Sequence, residues 1–322
     1  MKIKRSISYI IIALVYAAAS GVGIAVFYAL NKSLSVWLSL LIADVCATAF
    51  TFIFSLVFKN ASVYDPYWSV QPLVILVCFA IVRGLSLSGV LLLGVIALWS
   101  VRLTANWAYT FKGMEHQDWR YTEIKEKTGV LFPLVSFVGI HLMPTLVVYL
   151  CTMPAVCFII AKPDFVIDSI APLMLSIFGI ALEAIADTQM HIYKKDRKTT
   201  FIEIGVWKHS RHPNYLGEIL MWWGVALFCV AHLPSLWRLI VGAFVNTLLF
   251  FFVSIPLADG RQSKKEGFEE YYKRTNPLFP MKKAVRPVNK YLGGRRVLLE
   301  ETESTETDES AEKKHEVEKT TV

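Results

Sequence analysis

Residues 211–218 read Arg-His-Pro-Asn-Tyr-Leu-Gly-Glu and join a polar, basic stretch to an apolar one. Pro213 suits the first turn of a helix, where its missing N–H group costs nothing. The backbone N–H groups that follow lack partners and carry the positive end of the helix dipole. Because Arg211 and His212 stand just outside that end, the segment predicts an anion-binding site for a phosphate or carboxylate. Glu218 is expected one turn inside the helix.

A second polar pattern lies in the apolar run that precedes this segment. Glu183, Asp187 and His191 recur every four residues, which places them on one face of a helix. A charged side chain within a membrane span costs about 2.5–3.5 kcal/mol on insertion scales, so these acids need a partner or a water-filled cavity. Arg102, itself inside an apolar run, needs an acid in turn. The acids either line a functional cavity or only neutralise Arg102 and the basic residues after the span.

The composition is typical of an all-α, polytopic membrane protein. Of the 322 residues, 55% are apolar, and the mean hydropathy is +0.47. Long apolar runs with few charges can cross a bilayer as helices. We predict eight, at 7–30, 36–58, 69–83, 86–108, 132–161, 166–190, 215–232 and 235–257. The third is short and contains Pro72, and only Pro234 separates the last two, so seven spans with one dipping segment are the alternative.

The positive charges predict an orientation for this bundle. With eight spans, both termini and the loops at 59–68, 109–131 and 191–214 lie on one side of the membrane. That side carries 28 of the 33 Lys and Arg residues, and the other carries three. Since loops rich in Lys and Arg stay in the cytosol, both termini are expected there. The membrane would be the endoplasmic reticulum in a eukaryote and the inner membrane in a bacterium.

The chain is expected to have three parts. Residues 1–131 form an N-terminal transmembrane half on the substrate side, and residues 132–285 form a second half that carries most of the intramembrane charge. From residue 286 to residue 322 the hydrophobicity collapses, and this charged tail is expected to be disordered.

Several classes of protein are excluded by residue type and spacing. The seven His residues are scattered, so no metal site is predicted. The five Cys residues all lie in apolar runs without a paired motif, as buried structural cysteines do. Glycine-rich nucleotide loops and a serine-hydrolase elbow are missing from the sequence. Nucleic acid is not an expected partner, because no soluble basic module is present.

A spaced set of motifs across residues 60–281 resembles one membrane family. The motifs are Asp65-Pro-Tyr-Trp-Ser, Trp99-Ser-Val-Arg-Leu, Glu183-Ala-Ile-Ala-Asp-Thr-Gln, Gly205-Val-Trp, the segment 211–218 and Phe268-Glu-Glu-Tyr. They are similar to the DUF1295 family, which is related to the steroid 5-alpha-reductases and more distantly to the sterol reductases and isoprenylcysteine carboxyl methyltransferases. The segment 211–218 alone is less specific, since reductases and methyltransferases share its core.

The resemblance implies an NADPH pocket in the C-terminal half, open to the cytosol. The cofactor-binding residues it implies are Glu183, Asp187, Lys194, Lys195, Arg197, Arg211, His212, Asn214, Tyr215, Glu218 and Arg261. Among these, Lys194, Lys195 or Arg197 would hold the 2′-phosphate that separates NADPH from NADH. A cofactor with several negative charges also accounts for the clustered cations on physical grounds.

The catalytic residues are expected in the N-terminal half. The steroid reductases grip a substrate carbonyl with a Gln-Glu pair and a Tyr, whereas the matching places here are Asp65 and Trp99-x-x-Arg102. If an enone is reduced, a nearby acid must neutralise the oxygen that gains charge. Asp65 and Tyr121 are the candidates for that acid. Trp68, Trp119 and the pair Trp222-Trp223 are expected at the membrane edge, where aromatic belts form.

The sequence therefore predicts an NADPH-dependent reductase of a C=C bond conjugated to a carbonyl, acting on a hydrophobic substrate from the bilayer. An S-adenosylmethionine-dependent methyltransferase of a prenyl-cysteine or lipid is the alternative. The stretch Asp259-Gly-Arg-Gln-Ser-Lys-Lys lacks the Glu-Glu pair usual in those enzymes. A non-catalytic lipid-binding or scaffold protein is the third class, and the buried acids argue against it. No protein partner is predicted.

Overall fold

A computed structural model describes residues 4–196 and 199–280, together with the backbone of 291–292 and 295–296. The chain divides into two units, 1–281 and 282–322. In the second unit, a short antiparallel pair joins Tyr291–Leu292 (β1) to Arg295–Arg296 (β2). The rest of the tail predicted to be disordered lies outside the described residues, as does Arg197.

The described part of the first unit consists of helices joined by turns and loops. The α-helices are α1 (Arg5–Leu30), α2 (Val36–Val57), α3 (Tyr67–Arg83), α4 (Leu87–Thr110), α5 (Trp119–Thr128), α6 (Phe132–Val135), α7 (Met143–Ala161), α8 (Ile170–Asp196), α9 (Pro213–His232), α10 (Val241–Leu249), α11 (Ile255–Gln262) and α12 (Phe268–Arg274). Short 3₁₀ turns cover Ala61–Val63, Gly129–Leu131, Ile167–Ser169, Gly205–Lys208 and Pro234–Ile240. Two π-helical segments, Ser136–Leu142 and Phe250–Ser254, interrupt the fifth and eighth spans.

The all-α prediction and the eight spans are confirmed. Among the described residues, eight helical segments are long and apolar enough to cross a membrane. The third runs as a helix from Tyr67 to Arg83 with Pro72 inside it, preceded by the 3₁₀ turn at Ala61–Val63. The last two spans are separate, because Leu233 leaves helical geometry before the 3₁₀ turn that begins at Pro234. The side on which the termini lie stays a prediction.

Small residues bring α8 and α9 unusually close. A Cβ atom placed on Gly217 would lie 2.5 Å from the carbonyl oxygen of Gly179 and 2.9 Å from the Glu183 Cβ. Gly224 lies against Ser176 in the same way, and the Ser176 hydroxyl donates to the Met221 carbonyl at 3.0 Å. Membrane helices pack through such small residues, because lipid tails give no hydrophobic drive for helix association.

The main apolar core runs between α4, α7, α8 and α9. Its largest fully buried side chains include Trp99, Trp222, Phe158 and Phe228. Trp99 and Trp222 meet edge to face, with ring centroids 4.9 Å apart. This packing holds α4 against α8 and α9, so the polar side chains of these helices face one another inside the bundle.

Candidate functional site

A cavity of about 1750 Å³ opens between the two predicted halves of the bundle. One wall comes from residues 62–69 and from the segment that leads from α4 into α5. Another wall comes from α8, the first turns of α9 and the last span. Ligand pockets for drug-sized molecules measure about 300–1,000 Å³, so this cavity has room for a larger ligand or for two ligands side by side.

Arg102 pairs with both acids of the α8 stripe. Its Nη1 atom donates to Asp187 Oδ2 at 2.8 Å, and its Nη2 atom lies 2.5 Å from Glu183 Oε1. The expectation that Arg102 needs an acid partner is confirmed. The carboxylates of Glu183 and Asp187 face one guanidinium, so the cluster has more hydrogen-bond acceptors than this guanidinium satisfies. Among the described residues, Glu183 Oε2 is buried and has no hydrogen-bond donor.

One turn further on, α4 and α8 make a second polar contact. His191 Nε2 lies 2.7 Å from Asn106 Oδ1, and its ring packs 4.6 Å from that of Tyr109. Asn106 follows Arg102 by four residues, as His191 follows Asp187. Asn106 was not among the predicted site residues, although its four-residue spacing from Arg102 on α4 was an available signal.

Glu218 is held by two indole rings. Trp99 Nε1 donates to Glu218 Oε2 at 2.7 Å, and Trp222 Nε1 donates to Glu218 Oε1 at 2.9 Å. The Glu218 residue is 2% exposed. The expectation that Trp222 lies in a belt at the membrane edge is wrong, because its N–H group satisfies a buried carboxylate. Trp223 is half-buried and donates to Thr247 Oγ1 at 2.9 Å.

The two candidate acids of the N-terminal half are hydrogen-bonded to each other. The Tyr121 hydroxyl donates to Asp65 Oδ1 at 2.6 Å, and both residues line the cavity. They lie 56 residues apart in the chain, so the contact depends on how the segment at 60–65 meets the segment at 114–121.

Several hydrogen bonds hold the segment at 60–65 against the segment at 114–121. Asn60 Nδ2 donates to the Met114 carbonyl at 2.6 Å, and the Asp118 N–H donates to Ser62 Oγ at 2.9 Å. Asp118 then caps α5 by accepting from the Arg120 N–H at 2.9 Å. Burial raises the pKa of Asp118, but hydrogen bonds and charge from Arg120 outweigh it, and the net shift is downward. Asp118 therefore stays ionised and keeps α5 oriented toward the cavity.

A pair of side chains closes the cavity near α5. The Arg261 guanidinium lies 4.0 Å from the centre of the Trp119 ring, a cation–π contact. This contact joins α11 to α5, and both side chains line the cavity. Trp119 is half-buried here and faces α11.

The N-terminus of α9 is occupied by other parts of this chain. Arg211 is 5% exposed, and its Nη2 atom lies 3.1 Å from Asp259 Oδ2. His212 Nε2 lies 2.9 Å from the other oxygen of Asp259. Arg211 also donates to the carbonyl of Thr275 and stacks on the Tyr272 ring, 4.0 Å from its centre.

The backbone of the same turn pairs with the segment after α12. The Arg211 N–H donates to the Asn276 carbonyl at 3.1 Å, and the His212 N–H donates to the Pro277 carbonyl at 3.0 Å. The open anion site predicted at Arg211 and His212 is thus corrected: the anion at this helix end is the carboxylate of Asp259. Neither Arg211 nor His212 lines the cavity.

The structure brings most of the predicted site residues to one cavity. Those that line it are Asp65, Tyr121, Glu183, Asp187, Lys194, Asn214, Tyr215, Glu218 and Arg261. Arg102 reaches it through Glu183 and Asp187, whereas Lys195 is not among the lining residues. Arg120 and Lys265 also line it, and neither was among the predicted site residues. Their signal was only a position in the basic segments next to α5 and α11.

Comparisons with known proteins assign the chain to a family. The family model described as protein of unknown function (DUF1295) matches residues 51–275, and the chain belongs to this family. The chain is 26% identical over 253 residues to Uncharacterized protein C594.04c of Schizosaccharomyces pombe, which covers 69% of this chain and 73% of that protein. No solved structure matches the chain. The family model therefore fixes the family, and the eight apolar helices indicate a multi-pass membrane protein.

Proposed function

We propose that this protein is an integral membrane oxidoreductase that uses NADPH to reduce a C=C bond conjugated to a carbonyl in a lipid or steroid-like substrate. The observation that carries the proposal is one cavity of about 1750 Å³ with two chemically different walls. One wall holds buried acceptors on α8 and α9. The other holds the hydrogen-bonded pair of Tyr121 and Asp65.

The α8 and α9 wall suits a dinucleotide. Glu183 Oε2 and Asn214 Oδ1 are buried acceptors without a hydrogen-bond donor among the described residues. Ribose hydroxyls and a carboxamide NH₂ group offer the donors that these atoms lack. Lys194, Arg261 and Lys265 also line the cavity and would attract the phosphates of the cofactor. NADPH, when bound, supplies a hydride.

The Tyr121 and Asp65 pair supports the acid role. Reduction of an enone places negative charge on the carbonyl oxygen in the transition state. A hydroxyl donor held at that oxygen stabilises the charge. The 2.6 Å bond to Asp65 fixes the Tyr121 hydroxyl at the cavity wall. Tyr121 has a single O–H proton, so for this role Asp65 would be protonated and would donate to the Tyr121 oxygen. Tyr121 would then donate to the substrate oxygen, and Asp65 would orient Tyr121.

The substrate would come from the bilayer into the same cavity. Apolar and aromatic side chains, among them Trp68, Leu103, Trp107 and Phe250, form much of its lining. These side chains suit a hydrophobic molecule whose carbonyl end reaches Tyr121. The protein would lie in the membrane with both termini in the cytosol, in the endoplasmic reticulum of a eukaryote or the inner membrane of a bacterium.

Cofactor binding tests the proposal directly. The purified protein in detergent is heated with NADPH, NADH or S-adenosylmethionine, and the unfolding temperature is measured. A ligand at about 100 times its Kd stabilises the folded state by about 2.7 kcal/mol, which is measurable as a shift in unfolding temperature. We expect NADPH to stabilise the protein more than NADH does.

A variant and its control assign the phosphate contact. Lys194→Ala should reduce the NADPH shift and leave the smaller NADH shift unchanged. Lys127→Ala serves as control, because Lys127 is exposed and pairs with Glu123 at 2.7 Å on α5. Stabilisation by S-adenosylmethionine alone would overturn the reductase in favour of the methyltransferase.

A further inference from the structure

A second cavity of about 340 Å³ lies between α1, α2 and α3. It is distinct from the larger cavity, although the two share a stretch of chain: Tyr67 lines the smaller cavity, whereas its neighbours Tyr64 and Trp68 line the larger one. Its lining is mostly apolar, and exposed apolar side chains such as Ile81 (78% exposed) and Val82 (65%) lie at its rim. These features open the cavity to lipid chains.

Two polar side chains in this cavity are buried without a hydrogen bond of normal geometry. Asp44 is 4% exposed and Gln71 is 7% exposed, and both line the cavity. The carboxyl of Asp44 faces the Gln71 amide and the Tyr67 hydroxyl. Within the described part of the chain, however, neither oxygen of Asp44 and neither polar atom of the Gln71 amide makes a hydrogen bond of normal geometry. Buried polar groups without partners cost free energy, so each needs an explanation.

We propose that this cavity is a binding site for a long-chain alcohol that enters from the bilayer. A hydroxyl is both donor and acceptor, so it can donate to Asp44 and accept from the Gln71 amide at once. An ammonium group can only donate and a carbonyl can only accept. The hydroxyl is also neutral, and it leaves the membrane surface at less cost than a charged group does.

The dimensions of the site fit a slender chain. The cavity is lined from Tyr67 to Arg83 along α3, a distance of about 24 Å at 1.5 Å per helical residue. Asp44 lies in the third turn of α2, about 12 Å from the start of the helix at Val36 by the same rise. The hydroxyl would therefore be bound deep in the membrane, while the alkyl chain would follow the apolar side of α3.

Photolabelling tests this site independently of the proposed reductase activity. The full-length protein is reconstituted in lipid nanodiscs and labelled with hexadecanol that carries an alkyl diazirine, and the labelled peptides are identified by mass spectrometry. We expect label on α1, α2 and α3. Unlabelled hexadecanol should compete up to roughly tenfold better than its methyl ether, because the ether can still accept from Gln71 but cannot donate to Asp44, and one hydrogen bond contributes about 0.5–1.5 kcal/mol.

Matched variants identify the two side chains. Asp44→Leu and Gln71→Leu should each lower the labelling, and neither should lower the unfolding temperature, because each removes an unpaired buried polar group. Asn246→Leu is the control: Asn246 Nδ2 is also buried without a partner among the described residues, but Asn246 lies on α10, away from this cavity.

Three results would overturn the proposal. One is equal competition by hexadecanol and its methyl ether, and another is stronger competition by hexadecylamine. The third is full labelling of α1–α3 in both the Asp44→Leu and the Gln71→Leu proteins. Loss of NADPH binding would leave the alcohol site untouched.

Discussion

The hydroxyl of Tyr121 and the carboxylate of Asp65 form the most chemically suggestive contact in the larger cavity. Both side chains lie next to loops. Their 2.6 Å hydrogen bond depends on Asp118, which caps the start of α5, and on the hydrogen bond from Asn60 to the Met114 carbonyl. If Asp65 is protonated and donates to the Tyr121 oxygen, Tyr121 keeps its own O–H for a substrate oxygen at a fixed position. At the scale of single residues, this pair is the most direct test of the proposed chemistry.

Tyr121→Phe should therefore lower the rate of NADPH consumption with a lipid enone by about 10²–10⁴-fold, the usual effect of a positioned acid. NADPH binding, followed by thermal shift, should stay unchanged, because Tyr121 is not among the residues proposed to contact the cofactor. Tyr109→Phe is the control, since Tyr109 is 54% exposed. Equal rates for Tyr121→Phe and the wild type would remove Tyr121 from the reaction.

Arg102→Leu should destabilise the protein by about 3–5 kcal/mol, because it leaves Glu183 and Asp187 as uncompensated buried charges. Arg102→Lys should restore only part of the loss, since a lysine cannot present two parallel N–H groups to the two acids. Thermal unfolding in detergent measures both. Arg238→Leu, an exposed arginine beside Trp237, should change stability by less than about 0.5 kcal/mol. A stable Arg102→Leu protein would contradict the ion-pair cluster.

Some of these residue contacts were readable from the sequence and others were not. The four-residue spacing of Glu183 and Asp187 predicts one face of a helix, and the intramembrane Arg102 predicts an acid partner. The role of Arg211 was not predictable. Its partner Asp259 is 48 residues away, and the carbonyls that it contacts belong to the segment after α12. Local sequence gives no sign that this segment returns to the start of α9.

At the scale of elements, the closeness of α8 and α9 depends on glycine. Gly217→Ala would place a methyl group 2.5 Å from the Gly179 carbonyl oxygen and 2.9 Å from the Glu183 backbone N–H. Because both obstacles are backbone or near it, the helices must separate, at a cost of about 1–3 kcal/mol. We expect a lower unfolding temperature.

Gly94→Ala provides the matched control for this substitution. A Cβ atom at Gly94 in α4 would meet no other atom within 4 Å, and alanine is the better helix former. The Gly94→Ala protein should unfold at the same or a slightly higher temperature. If Gly217→Ala and Gly94→Ala behave alike, the contact between α8 and α9 is looser than the structure places it.

The segment after α12 should loosen when its anchor is removed. Arg211→Ala and Asp259→Asn should each increase hydrogen exchange of the amides at residues 271–278, because Arg211 bonds the Thr275 carbonyl and Asp259 orients Arg211. In a double-mutant cycle the two effects should be strongly non-additive, as they are for contacting residues. Additive effects would show that the two side chains act separately. If Arg211→Ala also weakens NADPH binding, Asp259→Asn should do so to a similar extent.

At the scale of the whole molecule, the even number of spans places both termini on the same side. The 28 Lys and Arg residues of that side predict that it is the cytosol. Tags at the N-terminus and C-terminus should both be digested by protease when the cytosolic side of the membrane is accessible. Both should be protected in sealed vesicles whose cytosolic side faces inward. Tags on opposite sides would contradict the eight-span topology.

Apolar run length predicted the bundle well, since the hydrocarbon thickness of a membrane sets the length of a span. The two π-helical segments and the second cavity were beyond the sequence. A π-helical turn uses the same residue types as an α-helical one. The second cavity depends on the space left between α1, α2 and α3, and no residue pattern shows this space. Asp44 on α2 was therefore not predicted as a site residue, although it is an acid within an apolar run.

The π-helical segment at Phe250–Ser254 determines where the last span can lose a residue. A turn with i to i+5 bonds contains one residue more than an α-helical turn. Removal of one residue there would leave a regular α-helix and keep Asp259 directed at Arg211. The same deletion within α10 or α11 would rotate everything beyond it by about 100° at 3.6 residues per turn. Relatives of this protein should therefore differ in length by a single residue at this segment more readily than elsewhere in the last span.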